Sequence, residues 1–95
     1  MTRPAVLVTG AARRIGAVLA RSFGAAGWHV VIHVHHSTSA ADELAASLPS
    51  AEVVTCDLAD GDAALAMIDD LAGRLDDWRV LVNCAAVFRP DTAQE

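Results

Sequence analysis

The chain has 95 residues, a formal net charge of −5 at pH 7 and a hydrophobic fraction of 54%. This length fits one small domain or part of a larger one, and so apolar a chain is expected to offer surface that another segment covers. The acidic balance excludes a general nucleic-acid-binding surface. No apolar run approaches the roughly 20 residues that span a bilayer, so we expect no membrane partner.

The cysteine content and the N-terminus indicate the compartment. Cys56 and Cys84 each lie in or beside an apolar run, which suits buried, reduced thiols better than a disulfide framework. The apolar run at residues 5–8 is shorter than the core of a signal peptide. We therefore expect a cytoplasmic protein.

Apolar, β-branched runs alternate with helical patterns along the chain. The runs lie at residues 6–8, 30–32, 53–54 and 80–82. Continuous apolar runs are typical of parallel strands covered on both faces. The order β-α-β-α-β-α-β predicts the α/β class, as the N-terminal portion of a Rossmann-like, doubly wound parallel sheet.

The three intervening segments have the spacing of amphipathic helices. The first should bury a face made of Ile15, Val18, Leu19, Ser22, Phe23 and Ala26. Gly27 follows it, where a left-handed cap is expected. The second is predicted over residues 39–48. The third is predicted over about 62–75, with Asp60 as its cap and an inner face made of Leu65, Ile68, Leu71, Ala72 and Leu75.

The stretch TGAARRIG, residues 9–16, follows the first predicted strand. Gly10 permits a tight turn, and Gly16 permits close packing of the helix that follows. The free N–H groups and positive dipole end of that helix suit a pyrophosphate. The alternative is an ordinary connection between a strand and a helix.

The stretch HVHHST, residues 33–38, follows the second strand and contains no acid. Sites specific for NAD usually have an acid there, bonded to the adenosine ribose. With Arg13 and Arg14 across the crevice, this segment instead offers cations and hydroxyl groups to a ribose 2′-phosphate. We therefore predict NADP(H) as the cofactor. The alternative is that the arginines and histidines are only solvated.

Residues after the third and fourth strands join this predicted site. Asp57 and Leu58 follow the third strand, where they can contact the adenine, although Asp57 is equally suited to cap the next helix. Asn83 follows the fourth strand. All of these residues fall at the carboxyl ends of strands, where open α/β sheets bind ligands. His33 and His35 alternate on a strand, but no further ligand pattern accompanies them, so we predict no metal site.

The motifs together resemble those of the short-chain dehydrogenase/reductase family over essentially the whole chain. That family shows T-G-x-x-x-G-x-G, then D-L or D-V, then N-N-A-G. Here Arg14 replaces the middle glycine, Cys84 the second asparagine and Ala86 the final glycine. With these departures, the sequence resembles the pteridine reductase-type subgroup. The motif of that subgroup is T-G-A-A-[KR]-R-[IL]-G, followed later by H-x-H-x-S.

The resemblance implies a role for each matching residue. Residues of the turn and of the segment after the second strand would hold the NADPH phosphates, while Asn83 and Ala85 would hold the ribose–nicotinamide end. His36 stands where relatives often have arginine, which implies weaker or more pH-dependent phosphate binding. The predicted cofactor-binding residues are Gly10, Arg13, Arg14, Ile15, Gly16, His35, His36, Ser37, Asp57, Leu58, Asn83 and Ala85.

The resemblance also sets expectations for the substrate and the chemistry. Phe88 matches a phenylalanine that stacks on a flat pterin, although simple packing is an equal alternative. Family members use a Tyr-x-x-x-Lys pair and usually a serine, with the tyrosine as acid/base and nicotinamide as hydride carrier. This chain contains no tyrosine and no lysine. We therefore assign no catalytic residue and expect this segment alone to be inactive.

These expectations define the domain organisation and the partners. Residues 1–87 would form the N-terminal half of an NADP-binding domain, and 88–95 a substrate-side loop or truncated tail. The partners of this chain would be the C-terminal part of the same fold and a small carbonyl or pterin-like substrate. By family resemblance, further copies in a homo-oligomer are also expected. The alternative is a stand-alone nucleotide-binding or assembly module without catalytic activity.

Overall fold

A computed structural model of the chain describes residues 3–11, 14–36 and 39–84. Within these ranges no helix is both long and apolar enough to cross a membrane. The element order is the one predicted from the sequence. The elements are β1 (Ala5–Thr9), α1 (Arg14–Ala25), β2 (His29–Val34), α2 (Ser39–Ala46), β3 (Ala51–Thr55), α3 (Gly61–Arg74) and β4 (Trp78–Asn83).

The four strands form one parallel sheet in the order β3-β2-β1-β4. β1 is central, and its last residue, Thr9, is paired with His33 of β2 and with Asn83 of β4. This is the first half of the doubly wound order 3-2-1-4-5-6. β2 and β3 lie on one side of β1, and β4 lies on the other side. The predicted α/β class is confirmed.

The core lies on both faces of the sheet. On one face, inward side chains of β1 and β2 pack against α1 and α2, with Ala20, Ala41 and Leu44 as the buried helix residues. On the other face, Leu7 and Val31 pack against Leu71 of α3. The result is a layered α/β/α arrangement in which β1 is buried along its whole length.

The predicted inner face of α1 is correct at Phe23, which packs against the core, but wrong at Ile15 and Val18. Ile15 is 70% exposed and Val18 is 59% exposed, whereas the residues that the helix buries are Gly16, Ala20 and Gly24. Their spacing of four residues puts these small side chains on one face, so the helix axis can come close to the sheet. The predicted glycine cap is confirmed, since Gly27 follows the helix with a φ of 93°.

The third helix follows the prediction more closely. Asp60 caps it by accepting hydrogen bonds from the backbone N–H groups of Asp62 and Ala63. Leu71 is fully buried, but Leu65, predicted to face inward, is 64% exposed. The second helix ends at Ala46, two residues before its predicted end. After Ala46 the chain forms a turn, in which the Ser47 hydroxyl donates a hydrogen bond to the Leu44 carbonyl.

A polar network ties the amino end of β2 to β3 and α3. Arg74 donates to both carboxylate oxygens of Glu52 and, through Nε, to Asp70 at 2.8 Å. His29 Nε2 lies 2.7 Å from the same Glu52 carboxylate and Nδ1 lies 2.7 Å from the Ser50 hydroxyl. The hydrogen bonds from Arg74 lower the pKa of Glu52, against an opposing effect of burial.

This network predicts a dependence of stability on pH. Because the folded state lowers the pKa of Glu52, its contribution is complete above the ordinary carboxyl pKa of about 4.3 and is lost as pH falls through the lower, folded-state pKa. We expect Glu52→Gln to lower the melting temperature at pH 7 and the difference from wild type to shrink below about pH 4. Thermal unfolding from pH 7 to pH 3, with Glu43→Gln on α2 as the exposed control, measures this. A gap independent of pH would contradict it.

Candidate functional site at the carboxyl edge of the sheet

The turn after β1 brings its two glycines into contact. Gly10 has a φ of 66°, in the left-handed region that favours glycine. A Cβ atom on Gly16 would lie 2.6 Å from the Gly10 carbonyl oxygen and 2.8 Å from the Ala11 Cα. The start of α1 is therefore packed directly on the turn backbone, at a distance that only glycine permits.

The start of α1 is a potential anion-binding position. The helix has 12 residues and no acidic residue in its first turn. Its first residue is Arg14, whose side chain is exposed together with that of Ile15. The first N–H groups of a helix and its dipole attract negative charge, and a cation at this end is electrostatically unfavourable unless an anion accompanies it. The local chemistry thus suits a phosphate.

The strand order reverses between β1 and β4, and polar side chains meet there. The Thr9 hydroxyl donates a 2.8 Å hydrogen bond to Oδ1 of Asn83. Asn83 is exposed at the carboxyl end of β4. In open α/β sheets the crevice at such a reversal is the usual ligand position.

The ends of β2 and β3 are joined by their own contacts. His35 Nε2 lies 3.6 Å from an oxygen of Asp57, with both side chains about half exposed. The rings of His35 and His36 stack with their centroids 4.1 Å apart. Asp57 also accepts a hydrogen bond from the Ala59 N–H, so it shapes the β3–α3 loop, whereas the helix cap is Asp60.

The structure therefore brings the predicted residues together in pairs. Gly10 meets Gly16, His35 lies beside both His36 and Asp57, and Leu58 follows Asp57 in the same loop. Among the residues that the structure describes, no hydrogen bond or ion pair joins Arg14 to these histidines. Four predicted positions lie outside the described residues: Arg13, Ser37, Ala85 and the predicted substrate residue Phe88.

Two side chains that form hydrogen bonds at the carboxyl edge of the sheet were not predicted from the sequence. Thr9 bonds Asn83, and His33, only 2% exposed, has Nε2 2.8 Å from the Cys56 carbonyl oxygen. The sequence offered one signal for these two roles, which is that both residues lie near the carboxyl ends of predicted strands.

Burial raises the pKa of the Cys56 thiol, next to His33, which favours the neutral form of the thiol. In the described ranges no group of three or more His, Cys, Asp or Glu side chains is arranged for a metal ion.

Comparisons with known proteins agree with this architecture. The family model described as short chain dehydrogenase matches residues 4–95. The chain is 39% identical over 85 residues to a short chain dehydrogenase/reductase of Colletotrichum higginsianum, covering 86% of the chain and 32% of that protein. It is 40% identical to galactitol 2-dehydrogenase of Agrobacterium fabrum over 85 residues, with the same coverages. Pteridine reductase 1 of Leishmania tarentolae is 47% identical over only 47 residues, which is 50% of the chain and 16% of that protein.

Solved structures give the same result. A metagenomic short-chain oxidoreductase in complex with NADP superposes with a TM-score of 0.79 at 30% identity, covering 96% of the chain and 47% of that structure. A short-chain dehydrogenase from Streptomyces avermitilis superposes with a TM-score of 0.80 at 34% identity, covering 90% and 31%. The chain spans about a third of the length of the Colletotrichum and Agrobacterium relatives.

Proposed function

Because this chain belongs to the short-chain dehydrogenase family, we propose that it is the NADP(H)-binding part of an oxidoreductase that reduces a carbonyl or imine substrate. The observation that carries the proposal is the close packing of Gly16 on the Gly10 turn at the start of α1. The first N–H groups of a helix have no partner within the helix, and those of α1 would face the reversal of strand order, which is the position of a dinucleotide in such sheets. When bound, the nicotinamide supplies the hydride.

The two halves of the cofactor would lie on opposite sides of β1. The pyrophosphate would lie against the turn and the start of α1. The adenosine half would lie toward β2 and β3, beside Asp57 and Leu58. The nicotinamide half would lie toward β4, beside Asn83 and Ala85, with Asn83 oriented by its hydrogen bond from Thr9.

Three features favour NADP over NAD. No acid follows β2, where His35 and His36 stack at the exposed edge instead. Arg14 has an exposed guanidinium at the start of α1, and arginine binds phosphate in a bidentate manner. One similar solved structure is a complex with NADP. Arg13 and Ser37 complete the proposed 2′-phosphate site.

The proposed substrate class rests on the subgroup. The turn and the histidine-rich segment favour a pteridine reductase-type enzyme, and a relative of that name is 47% identical over part of the chain. In this proposal Phe88 stacks on a flat, pterin-like substrate. Residues 1–87 form the N-terminal half of the cofactor domain, and residues 88–95 belong to the substrate side.

The chemistry also needs a proton donor, and the tyrosine–lysine pair that serves the family has no counterpart in this chain, which has no tyrosine and no lysine. We therefore place the acid/base residues in a further part of the same fold, packed against β4, and propose that this segment alone is inactive. A cytoplasmic homo-oligomer is the proposed context. A binding module without activity is the alternative, which would bind NADP in the intact protein but reduce no carbonyl or pterin.

Arginine replacements in α1 test the proposed phosphate site. Loss of a charge-assisted hydrogen bond costs about 1.5–3 kcal/mol, so Arg14→Ala should weaken NADP binding about 10- to 100-fold. NAD binding should change by less than about threefold, because NAD has no 2′-phosphate. Arg21→Ala is the matched control, since Arg21 is an exposed arginine further along the same helix. Calorimetric titration of the intact protein measures both affinities, and equal losses for the two cofactors would contradict the assignment.

A further inference from the structure

His33 contacts both loops that flank the end of β2. Its backbone carbonyl accepts a 3.3 Å hydrogen bond from the N–H of Ala11 in the glycine turn. Its side chain reaches the opposite way, with Nε2 2.8 Å from the carbonyl oxygen of Cys56 at the end of β3. One buried residue thus connects the turn after β1 to the loop after β3.

The hydrogen-bond partner of the imidazole identifies the ring nitrogen that donates. The Cys56 carbonyl can only accept, so Nε2 donates and a neutral ring carries its lone pair on Nδ1. That Nδ1 is buried and has no hydrogen-bond partner, alone among the buried side-chain nitrogen and oxygen atoms of the described residues. An unsatisfied buried nitrogen opposes stability. An aliphatic side chain here would remove the unsatisfied nitrogen, but it would also take the donor away from the buried Cys56 carbonyl oxygen.

The hydrogen bond from His33 Nε2 holds the backbone beside a residue that is proposed to contact the cofactor. Cys56 directly precedes Asp57, and its own N–H donates to the Val34 carbonyl at 3.1 Å. At the surface, His35 lies beside Asp57. The three successive residues 33–35 therefore all contact the Cys56–Asp57 segment. Of these three residues, His33 also accepts a hydrogen bond from Ala11 in the glycine turn.

We infer that His33 is a positioning residue that fixes the Cys56–Asp57 segment relative to the glycine turn and thereby sets the width of the adenosine subsite. It touches no cofactor atom itself. The inference rests on the proposed function for its ligand, but the connection between the two loops is a property of the unliganded protein.

Two replacements separate this role from simple packing. His33→Gln keeps an N–H donor at a comparable reach, and His33→Leu removes the donor while also removing the unsatisfied nitrogen. In the intact, unliganded protein, we expect amide hydrogen exchange at Ala11 and residues 56–60 to be about tenfold faster in His33→Leu and near wild type in His33→Gln.

Adenosine 2′,5′-bisphosphate is the binding probe, because it contains the adenosine half without the nicotinamide. Its dissociation constant should rise about tenfold in His33→Leu and less than about threefold in His33→Gln. If His33→Leu does not fold, His33→Asn takes its place, since its amide is too short to reach the Cys56 carbonyl.

The outcomes separate the two proposals. Unchanged exchange in the variant without the donor would overturn the inference, as would equal losses in the glutamine and leucine variants. If the wild-type protein does not bind the probe but exchange changes as expected, the connection between the loops stands and the proposed function fails.

Discussion

Gly16→Ala is expected to destabilise the protein by about 1–3 kcal/mol, as overpacking of a close contact does. The added Cβ would lie 2.6 Å from the Gly10 carbonyl oxygen and 2.8 Å from the Ala11 Cα. Both are backbone atoms, so the conflict is relieved only by moving the turn or the helix. Because the same turn would receive the pyrophosphate, NADP affinity should fall at least about tenfold. Chemical denaturation and calorimetric titration measure the two effects.

Gly73→Ala is the matched control for this prediction. Gly73 lies within α3, and an added Cβ would meet nothing within 4 Å. Alanine there should stabilise the protein by about 0.4–1 kcal/mol, because it restricts the unfolded chain and favours the helix. NADP affinity should not change. If both alanine variants bind NADP as wild type does, the glycine turn is not the cofactor site.

Leu71→Ala should cause the largest loss of stability, about 2–5 kcal/mol. Leu71 is the buried residue of α3 and packs on Leu7 and Val31 of the two central strands. The cavity left by the shorter side chain would lie between the helix and the sheet. Equilibrium unfolding in urea measures the change, which should appear as a lower midpoint with little change in slope.

Leu65→Ala removes the same atoms from the same helix. Leu65 is 64% exposed, so its truncation should change stability by less than about 0.5 kcal/mol. A loss as large as that of Leu71→Ala would show that another part of the intact protein covers Leu65. A loss below about 1 kcal/mol for Leu71→Ala would contradict its place at the centre of the α3 face.

The elements whose signals are local were predictable from the sequence. The apolar runs and the connecting helices lead to the α/β order, because few topologies are open to alternating strands and helices. Asp60 has the sequence signature of a helix cap, and Gly27 that of a left-handed end. Both have those roles in the structure.

The inner face of α1 and the role of His33 depend on tertiary contacts. Apolar periodicity selects large side chains, so it pointed to Ile15 and Val18, whereas the helix approaches the sheet through Gly16, Ala20 and Gly24. The four-residue spacing of these small residues was a visible signal. The bond from His33 to the Cys56 carbonyl was not, because it joins residues 23 positions apart through the strand register.

The most direct test of the account is calorimetric titration of the intact protein with NADP and with NAD at equal ionic strength. The arrangement of Arg14, His35 and His36, with no acid at the end of β2, predicts that NADP binds at least about tenfold more tightly than NAD. NAD binding as tightly as NADP, or more tightly, would contradict the proposed 2′-phosphate site.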